Sequence, residues 1–188
     1  MPELETYSDE ELMIMLQQQE LDAFKTLVKR HTEKFYHLAY RIVFDKEEAQ
    51  DIVQEAFIKV FKNPHNWRQS HKTKFTTWFY RVVSNQALDH KRKNKITEEY
   101  EDNLASKKNL EKTLHRKEQL AFIDQCLLDL APRQRLALNL CFYHELSNKE
   151  AAEIMEIKIK ALESLLSRAK AKLKKLAEDF YMIKEEIL

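Results

Sequence analysis

An all-α fold is predicted from three observations. Glycine is absent from all 188 residues, only three prolines interrupt them, and apolar residues recur at helical spacing. A chain without Gly has no unstrained residue for left-handed turns, hairpins or phosphate-cradling loops, so P-loop and dinucleotide folds drop out.

Each helix has its own signal. Ser8 and Glu11 form a capping-box pair ahead of Leu12, Met15 and Leu16. A longer helix follows, carrying Phe24, Leu27, Val28, His31, Phe35, Leu38, Ala39 and Ile42. Asp45 suits the N-cap of a third, with Glu47 and Glu48 in its positive first turn. Its stripe of Ala49, Ile52, Val53, Ala56, Phe57, Val60 and Phe61 keeps the 3.6-residue period, and Pro64 stops it. A polar loop over about 63–74 leads into an aromatic helix ending near residue 93.

Composition then changes. Residues 94–118 hold six basic and six acidic residues and few large apolar ones, with Glu98, Glu99, Glu101 and Asp102 concentrating negative charge. This stretch reads as a flexible tether; the alternative is a solvated helix inside one continuous domain. Periodicity resumes with Leu120, Ile123, Leu127 and Leu130, and Pro132 opens a new helix at its first position. Ser147 and Glu150 form a second capping box before Ala151, Ala152, Ile154 and Met155. After a turn at 156–158, a last helix carries Leu162, Leu165, Leu166, Ala169, Leu173 and Leu176. Short helix, tight turn and longer basic helix predict a helix-turn-helix. The expected architecture is two small helical domains, 1–93 and 119–188, joined by a flexible linker over 94–118.

Charge is informative only locally, since the net value is +1. Between residues 62 and 93 eight basic residues face Asp89 alone, and between 158 and 175 seven face Glu163 alone. One such cluster is ordinarily a solvated surface; two on separate helical units favour nucleic acid. The first holds the aromatics Phe75, Trp78, Phe79 and Tyr80 ahead of His90, Lys91, Arg92 and Lys93. Aromatic faces stack unpaired bases and cations hold phosphates, so this segment suits opened DNA; the competing reading is a helix whose aromatics are simply core. On the third helix, Asp51, Gln54, Glu55 and Ile58 lie off the apolar stripe, a face suited to a partner's basic helix.

Other classes recede. Cys126 and Cys141 make no C-x-x-C pair and no zinc spacing, which fits a reducing cytoplasm. No apolar run approaches the ~18 residues of a membrane span, and the acidic start is no signal peptide. No catalytic set, metal box or cofactor motif emerges, so an enzyme is not expected.

The residues resemble a known family. Asp51-Ile52-Val53-Gln54-Glu55-Ala56-Phe57, Phe75-Thr76-Thr77-Trp78-Phe79-Tyr80-Arg81, Asn85 and Asp89-His90-Lys91-Arg92 resemble region 2 of bacterial sigma factors, above all the extracytoplasmic-function group. Ala131-Pro132-Arg133-Gln134-Arg135, Leu146 to Ile154 and Ser167-Arg168-Ala169-Lys170 resemble that group's region 4. The resemblance spans about residues 8–176 in the family's order.

It implies a sigma factor whose partners are core RNA polymerase, promoter DNA both duplex and melted, and an anti-sigma factor. Asp51, Gln54, Glu55 and Ile58 match the polymerase-docking positions. Lys72, Lys74, Phe75, Trp78, Asn85, Lys91, Arg92 and Lys93 are the −10 candidates, the first pair and the last three for phosphates. Lys160, Ser164, Ser167, Arg168 and Lys170 are the −35 candidates in the major groove.

Departures concentrate in region 4. Where the family carries Val-Lys-Ser-Arg-Leu, this chain has Leu162-Glu163-Ser164-Leu165-Leu166. Glu163 repels phosphates, and Leu165 offers a thymine-methyl contact, a partner contact or a wider core stripe. Gln19, Phe44, Glu145 and Glu156 stand where the family commonly has Gly, so either these turns are strained or they differ. Two rivals follow: a helix-turn-helix regulator of duplex DNA, and a sigma-like adaptor with weakened −35 recognition.

Overall fold

The computed structural model describes residues 4–68, 73–101 and 124–187, with 94–101 and 179–187 as backbone only. Among the described residues all regular structure is helical. A 3-10 turn at Leu4–Thr6 precedes α1 (Asp9–Gln17), α2 (Leu21–Val43) and α3 (Lys46–Lys62); a second at Pro64–Asn66 precedes α4 (Phe75–Glu101). Then come α5 (residues 124–128), α6 (Pro132–Leu138) with a π turn at Asn139–Tyr143, α7 (Asn148–Ile154) and α8 (Ile159–Ile187).

The helix starts are chemical. Glu11 N–H donates to Ser8 Oγ at 3.3 Å while Ser8 N–H donates to Glu11 Oε2 at 2.8 Å. Ser147 and Glu150 repeat the arrangement at α7, and Asp45 Oδ1 accepts from Glu48 N–H at α3. Such caps satisfy backbone donors that a first turn leaves open, each contributing about 1 kcal/mol. Pro132 opens α6 as its missing N–H allows.

α1 to α4 enclose an aromatic core. The Phe79 ring lies 4.6 Å from Phe35, 4.8 Å from Phe57 and 5.4 Å from Phe75. Edge and offset geometries of this kind add about 0.5–1.5 kcal/mol per pair beyond area burial. Asp9 ties α1 to α2, accepting from Arg30 at 2.5 Å and from His31 Nε2 at 2.9 Å. Burial works to raise the Asp9 carboxyl, but His31 and then Arg30 hold it below its ordinary value.

α5 to α8 build a smaller aliphatic unit around Leu127, Leu136, Leu140, Ala152, Leu162 and Leu166. The two units are not simply tethered: α6, its π turn and α7 pack on α2 and α4, and the buried side chains form one continuous cluster. α4 stays helical through Glu101, eight residues past the expected domain edge. Charged residues sustain a solvated helix as well as a tether. Lys72 and the linker beyond residue 101 lie outside the described residues.

Four turns lack the residue best suited to them. Gln19 (φ 70°), Phe44 (φ 58°), Glu145 (φ 53°) and Glu156 (φ 53°) are all left-handed. These are the four positions at which the resemblance leads one to expect Gly. The turn geometry is kept and the strain accepted, on the order of 1–2 kcal/mol each.

Candidate polymerase and nucleic-acid interfaces

α3 presents Asp51, Gln54, Glu55 and Ile58 on its outer face, Ile58 with 48% of its surface exposed. Gln86 of α4 donates to Glu55 Oε2 at 3.2 Å, which orients the carboxylate. Beside this face runs a cleft of about 860 Å³ between α2 and α3, lined by Phe24, Val28, Tyr36, Phe57, Ile58 and Phe61. Phe61 corrects the sequence reading: it is 46% exposed, its ring tilted against Phe24 at 5.0 Å instead of closed in the core. It sits in the last turn of α3, beyond the reach of the packed middle of α2. An apolar groove rimmed by Lys29, Glu33, Gln50 and Gln54 is shaped for an amphipathic helix.

α4 divides its aromatics between two tasks. Phe75, expected at the DNA surface, is fully buried between Trp67, His31 and Phe79. Its N–H donates to Glu10 Oε1 at 3.0 Å, so a carboxylate from α1 closes the start of α4 and draws the ring inward. Trp78 is half-buried, packed on Phe75 and Phe79 with part of the ring reachable. Trp78, Arg81, Asn85 and Arg92 recur at helical spacing and form one face. Arg92 lies 3.5 Å from Asp89, while Lys74 and Lys93 are exposed and Lys91 half-buried. The loop before α4 is held by Trp67, whose Nε1–H donates to Thr73 O at 3.1 Å, and by Gln17, which donates to Pro64 O and Trp67 O.

α7, its turn and α8 form the predicted helix-turn-helix. Lys160, Ser164, Ser167 and Arg168 are exposed on α8, with Glu163 among them. Lys170 is exposed too, but its Nζ sits 4.9 Å over the Phe142 ring. Lys172 donates to Asp129 O, fastening α8 to the end of α5. Leu165 is half-buried and packed against the core, as a wider apolar stripe requires.

With this geometry in view, sequence comparison is decisive. Residues 27–96 match the family model "Sigma-70 region 2" and residues 123–173 match "Sigma-70, region 4". The RNA polymerase sigma-H factor of Pseudomonas aeruginosa is 31% identical over 175 residues, covering 86% of this chain and 90% of that one. The ECF RNA polymerase sigma factor SigW of Bacillus subtilis is 30% identical over 171 residues, 84% of this chain and 90% of its own length. This chain belongs to the extracytoplasmic-function (ECF) group of the sigma-70 family. SigE of Mycolicibacterium smegmatis is 28% identical, and the match spans only 61% of its length. The fold is shared with CnrH in complex with the cytosolic domain of CnrY (TM-score 0.70, 22% identity, 91% of this chain and 97% of that chain). It is shared also with sigma factor RpoE bound to the anti-sigma factor NepR from Bartonella quintana (TM-score 0.65, 21% identity, 82% and 96%).

The region 2 match covers most of α2, all of α3 and the aromatic part of α4; the region 4 match covers α5 to the middle of α8. The sigma factor is thus a DNA-binding initiation factor for promoter-specific transcription. No helix among the described residues is long and apolar enough to cross a membrane.

Proposed function

We propose that this sigma factor docks on core RNA polymerase through Asp51, Gln54, Glu55 and Ile58, with the α2–α3 groove extending that surface. α4 then holds the opened −10 element. Trp78 and Asn85 receive an extruded base, while Arg81, Lys91, Arg92, Lys93, Lys74 and Lys72 neutralise backbone phosphates. Extruding a base costs a few kcal/mol, which stacking and phosphate contacts must offset. α8 enters the −35 major groove with Lys160, Ser164, Ser167, Arg168 and Lys170 leading. Phe75 has no DNA contact here; it holds Trp78 in place. The observation that carries this reading is the shared outward face of Trp78, Arg81, Asn85 and Arg92, separate from the docking face of α3.

The amino-terminal unit includes α4 to Glu101, so the tether between units is shorter than 94–118. An anti-sigma factor is a further partner, an inference supported by the partners of CnrH and RpoE in their solved complexes. Glu163 supports a secondary reading in which −35 contacts are weak and most promoter affinity comes from region 2. Run-off transcription with core polymerase, on promoters selected from a random library, tests the assignment. Initiation from selected sequences is expected; a chain that never binds polymerase would sink it.

A further inference from the structure

The exposed face of α8 holds a carboxylate that the helix itself does not use. Leu162, Leu166 and Ala169 are buried where α8 packs on α6 and α7, which turns the opposite side of the helix outward. Lys160, Glu163, Ser164 and Ser167 are exposed there, linked by i+3 and i+4 spacings into one patch. α8 begins at Ile159, so the patch lies on its amino-terminal turns. A recognition helix brings those turns to the base edges of the major groove.

Helix stability gives Glu163 no role. The macrodipole favours acids in the first turn, and Glu163 lies beyond it. An acid gains most from a base four positions later; that position is Ser167, and three positions on is the buried Leu166. The cations further along α8 are engaged elsewhere. Arg168 Nε donates to Ser164 O at 3.2 Å, and Lys170 Nζ sits over the Phe142 ring. Lys172 donates to Asp129 O, and Lys174 lies 3.7 Å from Glu178. Facing phosphates, the Glu163 carboxylate only repels. Facing base edges, it can select.

An ionised carboxylate accepts hydrogen bonds and donates none. In the major groove guanine offers it two acceptors, and thymine an acceptor and a methyl group. Adenine offers an amino group with the N7 acceptor alongside, whereas cytosine presents its N4 amino group with no acceptor of its own beside it. We propose that Glu163 selects cytosine in the −35 element by accepting from N4, while Lys160 donates to guanine O6 or N7 in the same or the adjoining base pair. The inference rests on the placement of α8 in the −35 major groove and deepens it. Residues three apart are separated by about 4.5 Å along a helix axis, and base pairs by about 3.4 Å, so the two side chains match that span. Glu163 then works by rejection. It weakens binding to every duplex through phosphate repulsion, and weakens it least where the carboxylate meets an amino donor.

Promoter selection with the reconstituted holoenzyme, from a library randomised across the −35 region, tests this. The wild type should fix one position as cytosine, and any other base there should lower binding about fivefold or more. Glu163→Gln keeps the size of the side chain but adds an amide donor, so the preference at that position should move to adenine, whose N6 and N7 match an amide. Glu163→Ala should level that position and leave the other fixed positions alone, a change that a merely structural carboxylate would not produce. A wild type that selects upstream sequences without cytosine overturns the inference, as do variants that both keep the wild-type preference. In those outcomes other upstream bases are still fixed, and the −35 assignment stands. A selection that fixes no upstream base at all overturns the assignment as well.

Discussion

Region 2 and region 4 each carry a basic helix, yet they restrain its cations differently. On α4, Arg81 is restrained by acids of the other unit, Glu153 and Glu156. On α8 the restraint is local, with Glu163 standing among Lys160, Ser164 and Arg168. The first restraint is an ion pair between the two units; the second lies within a single helix. Their cores differ as well: large interlocked rings hold region 2, while aliphatic side chains on short helices hold region 4.

The largest test strikes the stronger core. Phe79→Ala should destabilise the chain by about 3–5 kcal/mol in urea unfolding, since it empties the centre of four packed rings. A loss below 1 kcal/mol would mean the rings are not interlocked. Next is Trp78→Ala. Base–aromatic stacking is worth about 1–3 kcal/mol, so open-complex formation should fall roughly ten- to a hundredfold while polymerase affinity holds. Equal losses in both assays would mark Trp78 as scaffold only.

Asp9→Asn probes the electrostatics of region 2. Two charge-assisted bonds to His31 and Arg30 should make it about 2 kcal/mol less stable at neutral pH. Because the Asp9 carboxyl is held below its ordinary 3.8, the wild-type advantage exists above that pH. It should fade as pH drops through the lower folded value, where both proteins carry an uncharged side chain; a difference persisting there would refute the ion-pair account. Glu163→Lys sharpens the contrast between readers. Duplex affinity should rise several-fold, with a steeper salt dependence by about one phosphate. No change would place α8 away from DNA. The smallest effect belongs to Gln19→Gly, which relieves left-handed strain but adds unfolded-chain entropy. A net gain of about 0.5 kcal/mol is expected by thermal unfolding. A loss would show that Gln19 makes a contact worth more than its strain.

Much of the fold was legible because it is set within a few residues. The Ser8–Glu11 and Ser147–Glu150 boxes, the Asp45 cap and the opening proline of α6 all depend on neighbours within one turn. Phe75, Phe61 and Trp67 were not legible in the same way. The burial of Phe75 depends on Glu10, 65 positions away, and the exposure of Phe61 on where α2 ceases to cover α3.

Helical class, element order, capped starts and the family signature follow from short-range rules of backbone satisfaction and apolar period. Which aromatics are buried depends on contacts such as Phe75 N–H with Glu10, across 65 residues, and whether the two units touch on contacts such as Arg135 with Ile42 O, across 93. Periodicity specifies a helix face but not its neighbour, because burial is a property of the surfaces that meet.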